Sequence, residues 1–290
     1  MLYLPHMAML TSFNIFTRPE TPQDILHIYE HLLINQFYIE LGNTSIPRYL
    51  AGWLNADTYD GVIMFDGGFY HRSLQRLWQN ILKRRHHNFS PTALKSVLGV
   101  IELEDQCQIK IANKSALLAQ INQNFTTPFI PIELSTTTSK AHRSVKLTVS
   151  LDSTDISLQK FFLRFYVVLS DLISATLSQK LPCYRTDNEL IHRVGDHLCF
   201  NSAFSCDGAI SDKEILNIVN SAIHSIDITT NYKHIKTLFR AFATEPLWQN
   251  HPIKFYEDTD IITTNKEVAS LLSPSNIKST LASISVQTSK

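Results

Sequence analysis

The feature that most constrains this 290-residue chain is a pair of histidines and a glutamate in the segment QDILHIYEHLL, residues 23–33. If the segment is helical, His27 and His31 lie one turn apart on one face, with Glu30 beside them. Two imidazoles can bind a zinc ion, and an adjacent carboxylate can take a proton from the water that the ion acidifies. The spacing His-x-x-Glu-His inverts the commoner zinc-peptidase motif. The segment therefore predicts a catalytic metal site on a helix.

Two structural alternatives compete with this interpretation. The segment could be a surface helix rich in polar groups, or the histidines could be core residues that find ordinary hydrogen-bond partners. The flanking sequence argues against the surface helix, because Pro22 and Asp24 suit a first helical turn and apolar residues surround the motif. Histidines on a buried helix need partners, and a metal ion would supply one.

The charge balance argues against strongly charged partners. The chain has 26 basic and 26 acidic residues and no net charge. A nucleic-acid-binding protein normally carries a basic surplus or a basic stripe. The only short basic run is KRRHH at 83–87, which we interpret as the solvated end of a helix. We therefore expect no nucleic acid among the partners.

Cysteine usage and hydropathy predict a cytoplasmic location without membrane contact. Residues 1–16 are apolar but lack the basic region of a secretory signal. No window approaches eighteen uninterrupted apolar residues, the length expected of a membrane-spanning helix. The cysteines form no Cys-x-x-Cys pair, which favours free thiols in a reducing compartment. They are Cys107, Cys183, Cys199 and Cys206.

Periodicity predicts an α+β fold of two related subdomains, residues 1–130 and 131–290, each a mostly antiparallel sheet packed by helices. The boundary is placed in the Pro- and Thr-rich connection at 128–140. The first subdomain is expected to contain strands within 7–18 and 54–66 and helices at 23–33, at 71–84 and from 90 onward. The second is expected to contain strands at 143–151 and 197–205, helices at 157–179, 188–193, 212–226, 266–272 and 275–285, and a frayed end.

A third metal ligand could come from the helix that Ser90 and Pro91 open. On that helix Glu104 shares a face with Val97, Ile101 and Gln108. Glu102 lies about 200° round the helix from Glu104, so the two carboxylates cannot face the same site. Either one remains a candidate at this point.

Three segments together resemble a known family. The first is the motif His27-Ile-Tyr-Glu30-His31 after a predicted strand and turn. The second is GWLNADTYD at 52–60, which is similar to the family pattern Gly…Asn-Ala-x-Thr-x-x-Asp. The third is VIELE at 100–104, which is similar to Val-Ile-x-x-Glu. The family is that of pitrilysin, insulin-degrading enzyme and the mitochondrial processing peptidase, the inverted-motif zinc peptidases.

The resemblance implies one half of a pitrilysin-type clamshell and a zinc endopeptidase. His27, His31 and Glu104 would bind Zn²⁺, with Glu102 as the fallback ligand, and Glu30 would be the general base. Residue 97, where the family often has a second acidic side chain, is a valine here. Outer support for the zinc must then come from elsewhere.

The resemblance also implies how a substrate binds. The family pairs an extended peptide, as an added strand, with a sheet edge near its Asn-Ala-x-Thr segment. In this chain the substrate-binding residues would be Asn55, Ala56, Asp57 and Thr58.

A second chain is expected to complete the active site, because the resemblance covers only one half of the family's paired architecture. The segment at 191–200 is similar to the Arg-x-x-Gly segment of the other half, but has Cys199 and Phe200 where a tyrosine is expected. The partner would be a homologous subunit or a second copy in a homodimer. The alternative hypothesis is a non-catalytic binding or assembly subunit that keeps the fold.

Overall fold

The computed structural model describes residues 10–123, 128–138, 141–188, 191–244, 261 and 263–289. Helices and antiparallel strands are mixed along the chain, which confirms the predicted α+β class. The chain divides into two compact units between His142 and Arg143. The division falls after the predicted boundary at 130/131, because residues 134–138 form a strand that pairs within the first unit.

The first unit contains five strands, four α-helices and one short 3-10 helix (Arg48–Leu50) within its described residues. In chain order the strands and α-helices are β1 (Leu10–Thr17), α1 (Gln23–Leu41), β2 (Gly52–Tyr59), β3 (Val62–Phe69), α2 (Arg72–Leu82), α3 (Pro91–Glu104), β4 (Cys107–Ile111), α4 (Lys114–Asn122) and β5 (Leu134–Thr138).

The central sheet of this unit has the strand order β1-β3-β2. Alternate residues of β3, including Ile63 and Phe65, are fully buried beneath the helices, as expected for a sheet with one covered face. Phe65 contacts Trp78 of α2 edge-on, with ring centroids 5.2 Å apart. A tight turn joins β2 to β3, and Gly61 has a φ of 73° there; a Cβ would come within 2.8 Å of Pro19.

Two predictions for this unit were wrong. Gln108 does not continue the face of Glu104, because α3 ends at Glu104 and the chain turns at Gln106, which has a φ of 50°. Gln108 instead belongs to β4. The connection at 128–140 is also not wholly irregular, because β5 pairs with β4 in register from Ile111↔Leu134 to Cys107↔Thr138. Backbone pairing of polar residues leaves little trace in the hydrophobic pattern.

The second unit also combines strands with helices. Its described elements are β6 (His142–Leu151), α5 (Ile156–Lys180), β7 (Cys183–Asn188), β8 (His192–Val194), β9 (His197–Asp207), α6 (Asp212–His224), α7 (Ile228–Thr244), α8 (Asn265–Ser270), α9 (Pro274–Ala282) and β10 (Ile284–Ser289).

The core helix of this unit is α5, whose N-cap Asp155 accepts hydrogen bonds from the amides of Ser157 and Leu158. By length and composition alone α5 could cross a membrane, with a mean hydropathy of 1.4 over its most apolar window. Within the protein 67% of that window is buried, as in the core helices of globular proteins. The predicted packing role of its aromatic residues is confirmed by the fully buried Phe161, Phe162 and Phe165.

Two further predictions fail in the second unit. The helix predicted at 188–193 is absent from the described residues there, because Asn188 ends β7 and His192 begins β8; residues 189 and 190 lie outside the description. A hairpin joins β8 to β9, and Gly195 takes a φ of 59° in its turn. The predicted helix at 275–285 is too long, because α9 ends at Ala282. The C-terminal end is predicted to fray, but residues 284–289 form β10 and pair with β6.

The two units share a topology. Each unit begins with a strand, a helix and a second strand. In each sheet a later strand lies between the first and the second strand: β3 lies between β1 and β2 in the first unit, and β9 lies between β6 and β7 in the second. The second sheet is extended by β10 beyond β6 and by the short strand β8. This common order is what two related subdomains would have.

Candidate metal centre

The three residues of the motif lie on the central turns of α1. The helix follows Pro22 and carries Asp24 in its first turn, as the sequence predicts. Glu30 is buried, with only 5% of its surface exposed. The side chains of His27 and His31 are 23% and 12% exposed, so they lie at the edge of the core rather than on an open helix face. Ligand atoms of His27, Glu30 and His31 fall within 4.8 Å of one another, and this group could hold a metal ion.

Glu104, the last residue of α3, meets the same histidines. Its Oε2 lies 3.0 Å from Nε2 of His31 and 3.8 Å from Nε2 of His27. The two imidazole Nε2 atoms are 3.1 Å apart. Two helices that are distant in sequence thus bring three candidate donor atoms together.

The size of this donor triangle fits a metal ion. From its three sides, the point equidistant from the donor atoms lies about 2 Å from each of them. Zinc binds imidazole nitrogen and carboxylate oxygen at about 2.0–2.2 Å, and catalytic sites use three such protein ligands. The donor types of His27, His31 and Glu104, and their distances from a common point, are therefore compatible with a bound metal ion.

Glu102 does not join this cluster. Its Oε1 accepts a hydrogen bond of 2.8 Å from the backbone amide of Ile109 in the middle of β4. The carboxylate therefore stabilises the connection from α3 to β4. Of the two candidates that the sequence left open, Glu104 is the one placed beside the histidines.

Glu30 presents one oxygen to the cluster and is held through the other. Its Oε1 lies 3.9 Å from Nε2 of His31, and its Oε2 accepts a short hydrogen bond from the hydroxyl of Thr58. Burial raises the pKa of Glu30, whereas the Thr58 hydrogen bond and the charges of the two imidazoles act in the opposite direction. A buried carboxylate beside a metal site, fixed by a neighbouring hydroxyl, is suited to accept a proton.

The four predicted substrate-binding residues lie on β2, which ends the sheet on one side within the part of the chain described. Asn55 and Asp57 are exposed on the outer face, while Ala56 and Thr58 are partly buried. The structure therefore places these four residues on two faces of one strand. The Thr58 hydroxyl is directed at Glu30, and the Thr58 carbonyl accepts a hydrogen bond from Gln23.

The sequence did not predict two contacts of the cluster. One is the link from Thr58 to Glu30, which joins the proposed substrate strand to the proposed base. The other is Asp105, whose Oδ2 lies 3.9 Å from Nδ1 of His27 on the side of the ring away from Glu104. A carboxylate near the second nitrogen of a ligating imidazole helps to orient the ring. In the sequence, the only indication of this contact was that Asp105 directly follows Glu104.

Scans of protein-family models and of curated proteins found no match for this chain. The resemblance to the pitrilysin family therefore depends on the three short segments at 27–31, 52–60 and 100–104, and it remains a prediction. What the structure adds is that all three segments lie in the first unit, where residues from each of them lie around one cluster.

Proposed function

We propose that this chain is a zinc-dependent endopeptidase subunit of the pitrilysin type. The observation that carries the proposal is the convergence of His27, His31 and Glu104 on one point, with Glu30 adjacent to it. A set that needed only to stabilise the fold would not require a third ligand at this distance or a separate buried carboxylate. The residues correspond to three zinc ligands and one general base.

The residues of the chain then have distinct tasks. His27, His31 and Glu104 hold the metal, and three protein ligands leave one coordination position for water or substrate. Zinc, when bound, polarises the scissile carbonyl and lowers the pKa of a bound water. Glu30 accepts the proton from that water and passes it to the leaving amine. Thr58 keeps the Glu30 carboxylate in place during both transfers.

The substrate class follows from the position of β2. An extended peptide could pair with β2 near Asn55, along the edge that has no neighbouring strand among the described residues, and its carbonyl groups would then pass close to Glu30, because Thr58 of the same strand contacts that residue. Backbone pairing makes few contacts with the side chains of a substrate, so it accepts many sequences. We therefore propose extended peptides or small unstructured chains as substrates, cleaved in the cytoplasm.

A homologous partner chain is part of this proposal. In the second unit Cys199 and Phe200 are buried, with 2% and 0% of their surfaces exposed. They cannot present a substrate-binding group in place of the tyrosine that the family's other half supplies. A sister subunit or a second copy would provide that group.

Metal removal tests the proposal. Dialysis against a chelator is expected to abolish cleavage of an internally quenched, unstructured peptide, and one equivalent of Zn²⁺ per chain should restore it. The assay is run on the chain alone and with any homologous chain encoded beside it. If purified chain binds no stoichiometric zinc, the non-catalytic assembly subunit is the correct interpretation.

Replacing Thr58 tests its role in holding Glu30. Thr58→Val removes the hydroxyl that donates to Glu30, and we expect kcat to fall by about ten- to a hundredfold with zinc retained. Thr58→Ser keeps the donor and should restore most of the rate. Equal kcat values for the Val and Ser variants would contradict the positioning role of Thr58.

Asn55→Ala, on the exposed face of β2, should change KM more than kcat.

A further inference from the structure

Two cysteines of the second unit face each other across adjacent strands. Cys183 at the start of β7 and Cys206 near the end of β9 are directly opposed in the strand register. Both are buried, with 5% and 0% of their surfaces exposed, and both are free thiols. Opposed residues of an antiparallel pair have side chains on the same face, so these thiols contact each other.

The pair occupies a strand position at which a disulfide can form. The amide of Asp207 donates to the carbonyl of Pro182, so Pro182 and Asp207 form a hydrogen-bonded pair. The adjacent pair, Cys183 and Cys206, is therefore a non-hydrogen-bonded pair. Such pairs have Cα atoms about 4.5 Å apart, and disulfides span Cα separations of about 4.4–6.8 Å. These two ranges meet, so the register of β7 and β9 permits a disulfide between the two cysteines.

Arg143 of the neighbouring strand acts on this pair, although its guanidinium also forms an ion pair of 2.7 Å with Asp212. Thr148 contacts Asn201 and Ser150 contacts Cys199, so residue numbers rise along β6 as they fall along β9. If this antiparallel register is extended to the start of β6, Arg143 lies opposite Cys206. The hydrogen bond from Cys183 and the Arg143 guanidinium both lower the pKa of the Cys206 thiol, against the effect of burial.

We propose that Cys183 and Cys206 form a reversible dithiol–disulfide centre that a small peroxide oxidises. The Cys206 thiolate attacks one peroxide oxygen, the O–O bond breaks and a sulfenic acid forms; the departing hydroxide takes up the proton that the thiol released and leaves as water. The Cys183 thiol then attacks that sulfur, the S–S bond forms, and water leaves. The balance is two thiols and one hydrogen peroxide to one disulfide and two waters. The closed bond fastens β7 to β9 and is independent of the metal centre.

The test uses the whole chain, treated with one equivalent of hydrogen peroxide under native conditions. We expect the intact mass to fall by about 2 Da and the count of reactive thiols after denaturation to fall from four to two. Peptide mapping should link Cys183 to Cys206. The melting temperature should rise by roughly 5 °C and return when a reductant is added.

Single substitutions provide the controls. Cys183→Ser and Cys206→Ser should each abolish the loss of two hydrogens. Cys199→Ser should respond like the native chain, because Cys199 is equally buried on β9 but lies opposite His192 of β8. Unchanged mass after oxidation, a bond that involves Cys107 or Cys199, or a full response of the Cys183→Ser variant would each overturn the proposal.

Discussion

Replacing Glu30 by glutamine is expected to lower kcat for peptide cleavage by about 10²–10⁴-fold while zinc remains bound. The substitution keeps the size of the side chain and its ability to accept from Thr58, but it removes the group that takes the proton. The three ligands His27, His31 and Glu104 are unchanged. Rates from the quenched-peptide assay, together with zinc content measured on the same preparation, separate loss of the base from loss of the metal.

The matched control is Glu20→Gln, at an exposed position in the turn before α1. It removes one negative charge from the same region without touching the cluster and should leave the rate unchanged. Cleavage by the Glu30→Gln variant at the native rate would refute the proposed mechanism. A loss of zinc equal to the loss of rate would place Glu30 among the ligands instead.

The second large effect is expected at Glu104. Glu104→Gln replaces a charged oxygen donor 3.0 Å from His31 Nε2 by a neutral amide, and the affinity for zinc should fall by about a hundredfold or more. Competition with a chromogenic chelator measures this change. Cleavage at a fixed low zinc concentration should fall in parallel and recover partly when zinc is added in excess.

Glu102→Gln is the informative comparison, because it changes a neighbouring carboxylate on the same helix. Its carboxylate accepts from the Ile109 amide, so the expected result is a small loss of stability with unchanged zinc affinity. The reverse pattern, in which Glu102→Gln loses the metal and Glu104→Gln keeps it, would contradict the arrangement of α3.

The sequence predicted which side chains of the cluster lie together, because these residues lie on two helices with strong signals. His27, Glu30 and His31 fall within one helix, so local geometry alone places them together. Glu104 was chosen by register, and the structure has it beside the histidines. The contact between Thr58 and Glu30 could not be predicted from periodicity, since it depends on how α1 lies across the sheet.

The failures occurred where backbone pairing overrides side-chain pattern. The polar strands β5 and β10 carry little hydrophobic alternation and are held by their pairing partners β4 and β6. The helix predicted at 188–193 failed for the same reason, because β8 is only three residues long and is fixed by its hairpin with β9. Tertiary context decides such short segments.

X-ray absorption at the zinc edge, on protein loaded with one equivalent of zinc, tests whether α1 and α3 bind one ion together. We expect a first coordination shell of nitrogen and oxygen at about 2.0–2.1 Å with outer scattering from two imidazoles. The His31→Ala variant should lose one imidazole or fail to bind. Three results would contradict coordination of one ion by residues of both α1 and α3. They are sulfur at about 2.3 Å, a single imidazole, and a spectrum that the His31 substitution leaves unchanged.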